Sequence, residues 1–512
     1  MTAATAFDLH TDARPRSEPL VSPRWAWIGG FAAVALIAFL IRLVILLRIA
    51  GLDGLDGYDD GVYYAAADAL VHGRIPYRDF LLLQPPGAIL ALAPFAAVGS
   101  VLGDPAGVAL GRVCFIAVGS LNAVLAMGIA RRFGRTAAVI GGVGYAVYFP
   151  AAHAERSTLL EPLGTCGLLV AVLLIERAAA WPRLGPVLAG VAAGAAVTMR
   201  IWYVVPVLLI AAVHWRRAPR FLLGAAGAAG VICAPFFLTA PAVMVREVLL
   251  DQLGRPRATS ASSFKRLATY LGATDLHLPG PFAALLGVNE LGLLLMLVVL
   301  AAAIAACTVR GARLYPLAGA AAAVVLLASP TFFLHYAALA APWVVLTVAV
   351  GGARILTLVP RKPARLIIAA LVVLAAAALG VRSAELSQPS PVIPVDALRP
   401  AASQVAGCVE SDDPQILAAL DVLSRDLERG CVVRPDVTGY TFDRDSYRVH
   451  GTEAASVLNP LWQADVTRFL LSGQAVIVHR TNTKLDRADT ARVQSGAVIA
   501  RSGSWVLHAV GR

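Results

Sequence analysis

The chain has 512 residues, 58% of them hydrophobic and only 15% charged, against roughly 25% charged residues in an ordinary soluble protein. That balance, with a mean hydropathy of +0.72, excludes a soluble enzyme as the bulk of the chain and indicates a polytopic α-helical membrane protein. The net charge of +11 comes from short basic clusters between apolar stretches, as in cytoplasmic membrane loops, and so argues against nucleic acid as a partner.

Residues 1–24 read as a polar cytoplasmic tail carrying Arg14, Arg16 and Arg24. The first apolar segment, 25–48, is long enough to cross a bilayer and has no small-residue cleavage site after it, so a signal anchor is expected. Further basic clusters stand at Arg131/Arg132/Arg135, Arg177/Arg183, Arg216/Arg217/Arg220, Arg310/Arg313 and Arg354/Arg361/Lys362/Arg365. With each of them cytoplasmic, spans are expected at 25–48, 106–130, 136–150, 162–180, 185–199, 201–215, 221–238, 289–308, 314–329, 336–353 and 365–381. This makes eleven crossings of the cytoplasmic membrane and puts the C-terminus outside. Residues 88–103 are also apolar, but the stretch is short, follows Pro85-Pro86-Gly87 and contains Pro94. It is expected to be a re-entrant or surface-lying part of the first external loop, 49–105. The transmembrane domain thus covers 25–381, with a second external loop at 239–288.

The first loop opens "DGLDGYDDGVYYAAADALVHG", with two adjacent carboxylates, Asp59 and Asp60, directly after the first span. Residues 61–72 read as a helix lying in the membrane interface, with Tyr63 and Tyr64 at headgroup depth and Tyr63 also a candidate substrate contact. The same topology exports His153, Glu155 and Glu161 in "YFPAAHAERSTLLEPLG", and the pair His335-Tyr336. Glu155 is a candidate substrate contact or half of a local ion pair with Arg156. His335 is a candidate contact or the neighbour of a belt tyrosine. Arg200 interrupts the apolar run "AGAAVTMRIWYVV" at an outer turn, where an ionisable residue is a functional candidate and a guanidinium suits phosphate oxygens. Arg246, Arg255, Arg257, Lys265 and Arg266 break the positive-inside pattern. Arg255 and Arg257, framed by Gly254 and Pro256, are expected to contact lipid or a lipid-phosphate donor.

From Arg382 the composition turns soluble, and 382–512 reads as a small extracytoplasmic α/β domain. "DPQILAALDVLSRDLERG" is expected to be an amphipathic helix, "CVVRPDV", "AVIVHR" and "SWVLHAV" strands, with a helix near 464–472. Cys408 and Cys431 are the only cysteines of this region and form a disulfide candidate in an oxidising compartment, or else a pair of buried thiols.

The stretch "DDGVYYAAADALVHGRIPYRDF" followed by Pro-Pro-Gly resembles the first external loop of the polytopic GT-C superfamily glycosyltransferases. These include protein O-mannosyltransferases, lipid A aminoarabinose transferases and actinobacterial arabinosyl- and mannosyltransferases. "ARRFGRTAAVIGGVGYAVYFPAAHAERSTLLEPLG" resembles the next part of that fold. The resemblance implies a polyprenyl-phosphate sugar as donor and a hydroxyl of a glycan, lipid or protein as acceptor. It also implies a single inverting displacement, with Asp59 as general base, Asp60 beside it and Arg200 near the donor phosphate. No cofactor is implied and no cluster has metal-ligand spacing, although a divalent cation on Asp59/Asp60, as in some relatives, stays open. The rival readings are a transporter or flippase for a lipid-linked glycan, and a non-catalytic envelope assembly factor. A transporter would show internal repeats and midplane charges, whereas here the charges collect at the outer surface.

Overall fold

The computed structural model describes residues 23–254, 262–273, 290–386, 395–442, 448–449, 452–453, 459–479 and 485–511. Each of the eleven expected spans coincides with an apolar helix. They are α1 (Pro23–Ile49), α4 (Asp104–Ala130), α5 (Arg135–Val147), α7 (Glu161–Arg177), α8 (Leu184–Met199), α9 (Val204–Val213) and α10 (Ala218–Thr239), then α11 (Glu290–Cys307), α12 (Leu314–Ala328), α13 (Ala341–Leu356) and α14 (Lys362–Leu386). Between them lie α2 (Tyr58–Val71), α3 (Gly87–Leu102) and the short α6 (Phe149–Ala154). Among the described residues five helical stretches, including α1, α4 and α10, are long and apolar enough to cross a membrane unaided. The protein is a polytopic helical membrane protein with a small sheet domain. Small residues set the helix spacing. A Cβ on Gly190 would stand 1.9 Å from the Phe221 carbonyl, and one on Gly224 would stand 2.2 Å from that of Val187, so α8 and α10 touch backbone to backbone.

α3 is a 16-residue helix of about 24 Å, short of the roughly 30 Å a bilayer core demands. It begins with Gly87 against Thr198 and Met199 at the end of α8. It ends at Gly103, φ +98°, against Asp421 of the C-terminal unit. Both ends therefore lie on the same face of the bundle.

α2 departs from the interfacial helix expected of it. Asp59 and Asp60 in its first turn suit a helix N-terminus, and its alanines favour helix. Its sides, however, are covered from Asp60 to Ala69. Tyr64, 2% exposed, drives its hydroxyl between Gly99 and Gly107, where α3 and α4 carry no side chain. One continuous core joins α2, α3 and the outer end of α4 to Leu398, Ile416, Leu420 and Leu507 of the C-terminal unit.

The C-terminal unit has a four-stranded sheet in the order β1-β4-β6-β5, from β1 (Val409–Ser411), β4 (Ala475–His479), β5 (Val498–Ser502) and β6 (Trp505–Ala509). β1 pairs parallel with β4, and the other pairs are antiparallel. A separate hairpin pairs β2 (Arg448–Val449) with β3 (Thr452–Glu453). Residues Cys431–Val437, expected as a strand, are irregular: Pro435 withholds a ladder N–H, and Cys431 is bonded to Cys408 with Cα atoms 5.8 Å apart. The expected amphipathic helix is two, α15 (Pro414–Ala419) and α16 (Leu423–Glu428), broken at Asp421 with φ 62°. The helix expected near 464–472 is Pro460–Leu470, capped by Asn459.

Candidate active site

A cavity of about 580 Å³ lies between the first loop, the α6 segment and the C-terminal unit. Asp59, at the start of α2, lines it with its side chain 34% exposed. The Nε2 atom of His335 stands 3.4 Å from Asp59 Oδ2. Asp60 borders the same cavity but is only 2% exposed. Its Oδ1 accepts from Ser157 Oγ at 2.6 Å, from the Thr158 N–H at 2.9 Å and from the Thr158 hydroxyl. Its Oδ2 accepts from Arg112 and from Gln415 Nε2, the latter at 2.8 Å. Five donors drawn from three segments thus fix Asp60, and through the helix backbone they fix the direction of Asp59. A cation shared by the two carboxylates does not fit this arrangement, because both oxygens of Asp60 are taken up by donors. Among the described residues no group of three or more His, Cys, Asp or Glu side chains is placed to hold a metal ion.

The wall beside Asp59 is built from residues that sequence reasoning did not assign to the site. Arg156 pairs with Asp56 at 2.6 Å, not with Glu155. Burial pushes the Asp56 carboxyl up, but the Arg156 and Arg112 guanidiniums outweigh it and hold Asp56 below the usual carboxylate range. Burial, then the Arg156 charge, keeps His153 well below the ordinary imidazole range, so this wall residue is neutral. Across the cavity stand Asp413, Trp462 and Trp505 of the C-terminal unit. Burial raises the Asp413 carboxyl to about 6. Asp413 also accepts from the Gln415 N–H at 3.0 Å, capping α15 so that Gln415 reaches Asp60.

The remaining expected residues are placed as follows. Tyr63 is buried at 5% exposure one turn after Asp59. Burial, with Asp59 nearby, raises its phenol well above the ordinary range. Arg200 breaks the chain between α8 and α9, is 3% exposed, and donates to Glu161. Its guanidinium lies over Tyr336 at 4.2 Å and over Trp202 at 4.7 Å, one layer behind the cavity wall. Glu155 sits inside the bundle, bound by Arg42, by Asn122 at 2.7 Å and by Tyr145 at 2.8 Å. It ties α1, α4 and α5 together and does not line the cavity. Arg266 satisfies the carbonyls of Leu326 and Ser329 at the end of α12. Arg255 and Arg257 lie outside the described residues.

No family model matches this sequence, and no curated protein matches it. Solved structures do. ArnT from Cupriavidus metallidurans in the apo state superposes with a TM-score of 0.55 at 17% identity, covering 96% of this chain and 99% of that one. ArnT bound to undecaprenyl phosphate gives 0.54 at 16% identity, covering 95% and 98%. The oligosaccharyltransferase AglB from Archaeoglobus fulgidus, in complex with an inhibitory peptide and a dolichol-phosphate, gives 0.52 at 14% identity, covering 89% and 69%. At such identities the likeness is one of fold: this chain folds as ArnT and AglB do over most of its length.

Proposed function

We propose that this protein transfers a glycosyl group from a polyprenyl-phosphate donor to a cell-envelope hydroxyl at the outer face of the cytoplasmic membrane. The observation that carries the reading is the contrast between neighbours. Asp60 is bound by five donors, while Asp59 opens onto a cavity large enough for a sugar and faces His335. A phosphate is already a good leaving group, so the chemical demand falls on the acceptor proton, which a carboxylate takes as the bond forms. The displacement inverts the anomeric centre, and Asp59 is the base. Asp60 is a positioning residue. Arg200 supplies the buried positive charge that favours the donor phosphate, exchanging Glu161 for it. The solved GT-C structures with lipid phosphates support this class of donor. In this reading the site-bearing face and residues 382–512 are extracytoplasmic, and residues 1–24 are cytoplasmic.

The test is mass spectrometry of lipid-linked sugars and envelope glycans after deletion of the gene. A polyprenyl-phosphate sugar should accumulate while one envelope glycoconjugate loses a residue. Unchanged glycoconjugates would contradict the reading. Accumulation of a lipid-linked glycan on the cytoplasmic leaflet alone would favour the flippase instead.

A further inference from the structure

A second cavity of about 620 Å³ runs down the bundle surface between α1 and α14. Its walls are apolar: Val44 and Ile45 on α1, Ala377 and Val381 on α14, and Phe149 and Ala152 at the back. Among the described residues the charged ones lining it are Arg48 and Glu385, and Glu385 is answered by Arg382 at 3.1 Å. Arg48 thus gives the mouth a surplus positive charge. Ile49 lines both this groove and the Asp59 cavity. The α6 segment and the turn after it do the same, since Phe149 and Ala152 face the groove while His153 and Arg156 face the cavity. A molecule with hydrocarbon chains in the groove would therefore carry its head to Asp59 without leaving the protein surface.

We propose that this groove holds the chains of the acceptor, and that the acceptor is an anionic, hydroxyl-bearing membrane lipid. The inference rests on the transfer reading above and adds the acceptor class to it. One feature selects an acceptor over the donor. The buried cation assigned to the donor phosphate, Arg200, lies beyond the His335–Tyr336 pair, under Tyr336, whereas the groove enters beside Ile49 and Arg156. A single displacement needs the incoming oxygen on the side of the anomeric carbon away from the leaving phosphate. The charge at the mouth also suits a lipid phosphate, with Arg48 at the outer end of α1. In the reaction the lipid hydroxyl oxygen bonds to the anomeric carbon and its proton passes to Asp59. The bond from that carbon to the phosphate oxygen breaks, and its electron pair stays with the phosphate.

The test is photo-crosslinking of the full chain in phosphatidylcholine nanodiscs. The probe is phosphatidylinositol bearing a diazirine in its acyl chain, compared with diazirine phosphatidylcholine at equal mole fraction. Peptides spanning 40–49 and 377–385 should be labelled about fivefold more by phosphatidylinositol, a preference on the order of 1 kcal/mol. Val44→Trp and Ala377→Trp, which fill the groove away from the reacting groups, should reduce that labelling to the phosphatidylcholine level. Excess polyprenyl phosphate should leave it unchanged. Equal labelling by the two lipids would mean ordinary bilayer lipid and overturn the proposal. Displacement by polyprenyl phosphate would assign the groove to the donor chain and overturn it too. Labelling needs no turnover, so its outcome is separate from that of the transfer reading, which stands or falls on Asp59.

Discussion

Gln415, in the C-terminal unit, donates a 2.8 Å hydrogen bond to Asp60, the neighbour of the proposed base and 355 residues away in sequence. The C-terminal unit is therefore a structural part of the site and not an appended module. Asp60 also neutralises Arg112, whose side chain is fully buried. Removing one partner of a buried ion pair strands the other charge, at a cost of about 3–5 kcal/mol. Asp60→Asn should accordingly lower folded yield and melting temperature. Gln415→Ala should cost only about 1–3 kcal/mol, the range for one buried group left without its hydrogen bond. Equal melting temperatures for Asp60→Asn and wild type would remove Asp60 from this role.

Gly61 marks where α15 meets α2. A Cβ there would lie 2.4 Å from Gln415 Cβ and 2.8 Å from its backbone nitrogen. Gly61→Ala should push the C-terminal unit off α2, expose residues 395–442 to limited proteolysis, and reduce turnover by about 10²-fold through misplacement of Asp59. Gly29→Ala, at a position with open space around it, is the control and should leave both unchanged.

The disulfide and the topology can be checked together. Cys408 and Cys431 enclose a separation of 23 residues, and such a crosslink contributes about 3 kcal/mol in the chain-entropy account. Cys431→Ser should lower the melting temperature accordingly, and non-reducing mass spectrometry should recover the bridged pair. A reporter fused after Arg132 should be cytoplasmic, and one fused after Val395 external. The reverse pattern would move the site to the cytoplasm.

Two groups, His72 at the end of α2 and Glu410 in the C-terminal unit, titrate above their ordinary ranges. The hydrogen bond to Asp68 outweighs burial and raises His72 to about 9. A raised imidazole stabilises the fold fully below its unfolded value near 6.5 and loses that contribution as pH rises through about 9. Burial raises Glu410 on β1 to about 8, so its contribution too is present at low pH and fades as pH rises through that value. The melting temperature of the full chain should fall between pH 6.5 and 9, and His72→Gln should flatten the fall.

The membrane architecture was legible in the sequence because a bilayer imposes length and apolarity locally, segment by segment. Basic clusters then marked the turns. The site was legible only in part. Asp59 and Asp60 stood out, but their division of labour depends on Arg112, Ser157, Thr158 and Gln415, which lie 52 to 355 residues away. α2 reads as an interfacial helix because nothing within it says that a unit 340 residues later covers it. Glu155 and Arg156, adjacent in sequence, turn to Arg42 and Asp56 because consecutive residues leave the α6 end in different directions. "CVVRPDV" has strand composition, yet its proline and its disulfide keep it out of the sheet.

The central claim is that Asp59 is the base, and Asp59→Asn tests it most directly. The substitution keeps size and shape, removes the basic carboxylate, and leaves the Asp60 network untouched. Turnover of a short-chain polyprenyl-phosphate sugar should drop by about 10²–10⁴-fold, the usual contribution of a positioned general base, with donor affinity retained. Arg200→Ala should instead weaken donor binding, since its proposed partner is the phosphate present before and after reaction. Turnover of Asp59→Asn within about threefold of wild type, measured on folded protein with normal donor affinity, would contradict the account.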